Sequence, residues 1–109
     1  MQRITIAKAT MLLSELLDCM EDLYWESQTM EMKDASFNVV RILNAELMEL
    51  TKVSVQDHHY PYEVISCSTQ TLANVLEDVQ NDIAGRILRS RTRANLTPLL
   101  LQMSDALQV

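Results

Sequence analysis

The sequence predicts an all-α protein, a small bundle of three long helices and a short fourth, on three observations. Apolar residues recur at gaps of three and four along most of the chain, the spacing of a helix face. Chain-breaking residues are almost absent, with one Gly and two Pro in 109 residues. Five aromatic residues (one Trp, one Phe and three Tyr) are too few to furnish the strands of a sandwich or barrel. With 48% hydrophobic and 22% charged residues, the chain has the composition of a folded domain, and its length fits a single domain over residues 1–109.

The first helix is expected to begin between residues 5 and 10 and run to about residue 29. Ala9, Leu13, Leu16, Met20 and Leu23 repeat at helical spacing, widened by Leu12, Leu17, Cys19 and Tyr24. Asp34 and Ser36 are good N-caps, so the second helix is expected from there to about Lys52, with a turn at residues 30–33. Its apolar stripe reads as Phe37, Val40, Leu43, Leu47 and Leu50. Periodicity then fails across residues 56–66, where His58, His59, Tyr60 and Pro61 mark the one true loop. Ser68, Thr69 or Thr71 caps a third helix carrying Leu72, Val75, Leu76, Val79, Ile83 and Ile87, fading over residues 91–95. Gly85 lies inside that pattern, as if another backbone came close there. Thr97 and Pro98 read as N-cap and first residue of the short last helix.

Composition excludes several functions. One Gly cannot build a dinucleotide fingerprint or a P-loop. Fifteen acidic against nine basic residues, a net charge of −6, argue against a protein that coats nucleic-acid phosphates or an anionic membrane. Two cysteines make no disulfide framework, no stretch is apolar enough to span a bilayer, and the first residues lack a secretory pattern. The expectation is a cytoplasmic protein.

Four groups of residues carry candidate chemistry. Glu15, Asp18, Asp22 and Glu26 fall at i, i+3, i+7 and i+11, one carboxylate stripe without an interleaved cation. Trp25 projects beside it, and Met30 follows at the end of the helix, both suited to anchoring a partner. Arg86, Arg89 and Arg93 share a face if the third helix continues through them, and that face could grip phosphate or an acidic segment. Glu46 and Glu49 form an i, i+3 pair that, facing Glu15 or Asp18, could hold Mg²⁺ as in helical nucleotide hydrolases. Adjacent His58 and His59 cannot readily share one metal ion, and nothing in the sequence activates Cys19 or Cys67 as a nucleophile.

The function these residues point to is non-enzymatic: an adaptor or regulator that binds another protein, of the chaperone, anti-activator, immunity or antitoxin kind. Its partner-binding residues are Glu15, Asp18, Asp22, Trp25, Glu26, Met30, Arg86, Arg89 and Arg93, with no catalytic group, metal or cofactor. A chain this short buries only about two-thirds of its unfolded surface, so a homodimer is expected to cover the remaining apolar faces. A nucleic-acid-associated regulator using the arginine face, and a Mg²⁺-dependent hydrolase using the carboxylate pairs, are the alternatives.

Overall fold

The computed structural model describes residues 4–85 and 89–107. Arg86 and Ile87, read above as parts of the third helix, lie outside them. Four helices follow in order: α1 (Ile6–Trp25), α2 (Met30–Thr51), α3 (Thr69–Ala84) and α4 (Ser90–Ala106), with a 3₁₀ turn at Val55–Asp57 between α2 and α3. Among the described residues there is no strand, only an isolated bridge between Thr5 and Pro61. The all-α class is as the periodicity predicts.

α1 is the central element. It packs most extensively against α2, then against α4, while α3 leans on α4 and barely meets α2. Two neighbours demand a wide apolar face, which Ala9, Leu12, Leu13, Leu16, Met20 and Leu23 supply. Leu43, Leu72, Leu76, Leu96, Leu100 and Met103 close the same core from the other three helices. All four helices thus contribute to one core around α1.

The helix starts are set by side-chain caps. Thr5 Oγ1 accepts the Lys8 amide at 3.1 Å, and Ser68 Oγ accepts that of Thr71 at 3.0 Å. α2 departs from expectation: Thr29 Oγ1 caps it by accepting the Met32 amide at 3.1 Å. Residues 30–33 are therefore its first turn rather than a linker, and the α1–α2 connection is only residues 26–29.

The buried stripe of α2 also differs. It consists of Ser36, Val39, Leu43, Glu46 and Leu50, whereas Phe37 is exposed and Val40 and Leu47 are half-buried. The two stripes share Leu43 and Leu50 but are rotated against each other about the helix axis. The more apolar one was the natural reading, because the true one contains a serine and a glutamate.

At the other end of the molecule, α3 stops at Ala84 with Gly85 as C-cap at φ −98°. A Cβ there would meet only the Asp82 carbonyl at 3.8 Å, so this glycine marks no close approach. The last helix is not short. α4 begins at Ser90, and Thr97 and Pro98 lie within it. Thr92 and Leu96 are buried on the turns before the proline, and their burial opposes the cost of about 3 kcal/mol that an interior Pro imposes.

The loop is held at both ends. The carbonyls of Tyr60 and His58 accept the amides of Ile6 and Ala7 at 3.0 and 3.1 Å. With Thr5 Oγ1 accepting from Lys8, the otherwise orphaned amides of the first three residues of α1 all have partners. Four loop donors converge on the buried Glu46 carboxylate: the Tyr62 hydroxyl at 2.6 Å, the Ile65 amide at 3.0 Å, and the Ser66 amide and hydroxyl at 2.7 Å each. They take the place of a counterion.

Candidate partner-binding surface

α1 buries one face against its neighbours and turns the other outward. Its outward side carries Glu15, Asp18, Glu21 and Asp22, all exposed and, among the described residues, without an ion pair. The only basic residue of α1 is Lys8, in its first turn. Asp18, Glu21 and Trp25 fall at i, i+3 and i+7, so two carboxylates lie in the same surface row as the indole.

Trp25 is 74% exposed and Phe37, on α2, is 58% exposed. Between them, an open groove of about 420 Å³ runs along the α1–α2 seam, lined by Glu21, Tyr24, Trp25, Phe37 and Val40. Tyr24 stands edge-on to Trp25, with ring centroids 5.2 Å apart and planes at 84°. From α2, Lys33 Nζ sits 5.6 Å from the Tyr24 centroid, a cation–π contact to a ring that lines the groove. Met30, 73% exposed, and Met48, 56% exposed, extend the same side of α2 beyond Phe37.

Glu26 belongs to the predicted stripe by spacing but not by use. Its Oε1 accepts the Arg89 amide at 2.9 Å, and its Oε2 takes the buried Thr92 hydroxyl. α4 has no side-chain cap of its own. The last residue beyond α1 supplies one from across the fold, placing a negative charge at a helix N-terminus. Burial works against that charge, but the Thr92 and Arg89 hydrogen bonds and the Arg89 charge prevail and hold Glu26 below the usual carboxylate range.

The predicted arginine face is described only in part, at Arg89 and Arg93. Arg89 is the N-cap of α4 and Arg93, like Arg91, lies in its first turn, so these residues belong to the start of α4 and not to a continued α3. Arg89 and Arg91 are exposed, whereas Arg93 is half-buried and donates to the Ile83 carbonyl at 2.8 Å. That contact satisfies the C-terminus of α3 from the following helix. Arg86 lies outside the described residues. Asp22, Trp25, Glu26, Arg89, Arg91 and Thr92 together line a small polar depression of about 280 Å³ on the far side of the indole from the groove.

The carboxylate pair on α2 is split as well. Glu46 is fully buried on the loop, while Glu49 is paired at the surface with Lys52 at 3.3 Å. Among the described residues no three His, Cys, Asp or Glu side chains gather as a metal site. Burial, then the charges of Asp22, Asp18 and Glu15, push the half-buried Cys19 thiol above its ordinary value, the reverse of an activated nucleophile. No helix among the described residues is long and apolar enough to cross a membrane.

Of the predicted site residues, Glu15, Asp18, Asp22, Trp25 and Met30 are exposed along α1 and the start of α2. The sequence reading missed Glu21, Tyr24, Phe37 and Val40. A signal existed for Phe37, whose neighbours at i+4 and i+7 are Arg41 and Asn44, a poor setting for a core position. No family model, no curated protein and no solved structure matches this chain.

Proposed function

We propose that this four-helix protein is a non-enzymatic adaptor or regulator that binds another protein on the outer face of α1 and the adjoining α1–α2 groove. One observation carries the reading: the only tryptophan and the only phenylalanine of the chain both stand in solvent, on either side of one groove. Burying a side chain of this size contributes roughly 1.5–3 kcal/mol, so a fold that leaves both outside forgoes stability there. Exposed Trp and Tyr are the residues that most often anchor protein interfaces. For the two alternatives, phosphate binding by arginines and metal hydrolysis by paired carboxylates, no comparable observation speaks: Glu46 is engaged by the loop and Glu49 by Lys52.

The test is a matched capture from the protein's own cell extract. The wild-type protein is compared with a Trp25→Ser/Phe37→Ser variant and with an Asp18→Lys/Glu21→Lys variant, with folding checked by circular dichroism. Glu26 is left in place because it caps α4. A partner held by the wild type and lost from both folded variants supports the reading. Identical captures, or none, refute it.

A further inference from the structure

We propose that the α1–α2 groove receives a basic amphipathic helix of the partner protein, its apolar side against Trp25 and Phe37 and its cations over the α1 carboxylates. This rests on the reading above and specifies its ligand. Three features select such an occupant. The groove runs between two helices, and the described residues offer no sheet edge to which an extended peptide could add. The exposed apolar side chains of α2 reach from Met30 through Phe37 to Met48, roughly 27 Å at 1.5 Å per residue, the length of a five-turn helix. An aliphatic or aromatic side chain entering beside Trp25 fits the groove as a ridge fits between helices.

Charge decides between a second copy and a different chain. The outer side of α1 presents four unpaired carboxylates, Asp18 and Glu21 in the row of the indole and Glu15 and Asp22 on the flank away from the groove, while the only cations of α2 are Lys33 and Arg41. Lys33 already lies against Tyr24, and Arg41 donates to Asn38 at 2.7 Å. Placing two copies face to face doubles both signs and leaves the imbalance intact. A chain with lysines or arginines flanking its apolar side offsets Asp18 and Glu21, and lessens the repulsion that Asp18 shares with Glu15 and Asp22.

Trp25, the sole tryptophan, reports directly on the groove. The probe is a synthetic helical peptide of eighteen residues, leucine on one side and lysine on the other, without tryptophan. Two controls accompany it: the same leucine side with glutamate for lysine, and the same lysines with glutamine for leucine. The expected result is a saturable blue shift of Trp25 emission with the first peptide, weakened by salt. Each control should bind at least about tenfold more weakly, and Phe37→Ser should weaken the first peptide by a similar factor. Equal binding of the glutamate peptide, binding unaffected by Phe37→Ser, or no shift with any peptide would overturn the proposal. So would sedimentation showing a dimer whose Trp25 emission is already blue-shifted, because a second copy would then fill the groove. If the peptides fail while capture still depends on Trp25 and Phe37, the adaptor reading stands and only this assignment of its ligand falls.

Discussion

The Tyr62 hydroxyl donates to Glu46 Oε2 at 2.6 Å across sixteen residues of sequence, joining the irregular loop to the middle of α2. The carboxylate is wholly buried, and the phenol is pushed far above its ordinary pKa by burial and by the carboxylate beside it. Glu46 is thus the hub of the loop's second half, while its first half is tied to the start of α1.

Removing that hub leaves the Tyr62 hydroxyl and the Ile65 and Ser66 amides without their acceptor. Glu46→Ala is expected to destabilise the protein by about 3–5 kcal/mol, and Tyr62→Phe by about 1.5–3 kcal/mol. Urea denaturation checks both. A loss under about 1 kcal/mol for Glu46→Ala would mean that the loop is held by something else.

The Glu26 cap carries a pH dependence. Its pKa is lowered in the fold, so its contribution is complete above the unfolded value of about 4.3 and disappears as pH falls through the folded value. Glu26→Gln should therefore melt below the wild type at pH 7. The two melting curves should converge on acidification through the carboxylate range. A gap that persists at pH 2 would indicate a steric rather than an electrostatic defect.

The register of α2 separates buried from exposed apolar residues sharply. Leu43→Ala is expected to cost about 2–5 kcal/mol, whereas Phe37→Ser should change stability by about 0.5 kcal/mol. A large loss for Phe37→Ser would restore the stripe that hydrophobicity alone suggests, and would remove Phe37 from the candidate surface.

Pro98 tests the continuity of α4. Inside a helix it withholds an amide, and relative to Ala it costs about 3 kcal/mol, partly offset by its stiffening of the unfolded chain. Pro98→Ala should accordingly stabilise the protein by about 1–3 kcal/mol. Were Pro98 the first residue of a helix, the same change would be neutral or unfavourable.

Much of the fold was legible residue by residue. The core of α1, the Ser68 cap and the broken stretch after α2 follow from spacing and from local hydrogen-bonding chemistry, which act within a few residues. The exposed carboxylates and Trp25 were legible for the same reason, since a helix with one apolar side must turn its other residues outward. The groove was not, because half of it belongs to α2, whose rotation depends on what it packs against.

Sequence by itself determined the helical class, the extent of α1, the start of α3 and the acidic outer side of α1. Tertiary structure alone decided that Ser36 and Glu46 point inward while Phe37 points out. The reason is that a buried glutamate is tolerable only when distant donors converge on it, and those donors lie on a loop that periodicity cannot place. It also decided that Glu26 serves α4 rather than solvent, since a helix N-terminus without its own cap takes the nearest carboxylate, and nearness across sixty-three residues is a property of the packed chain.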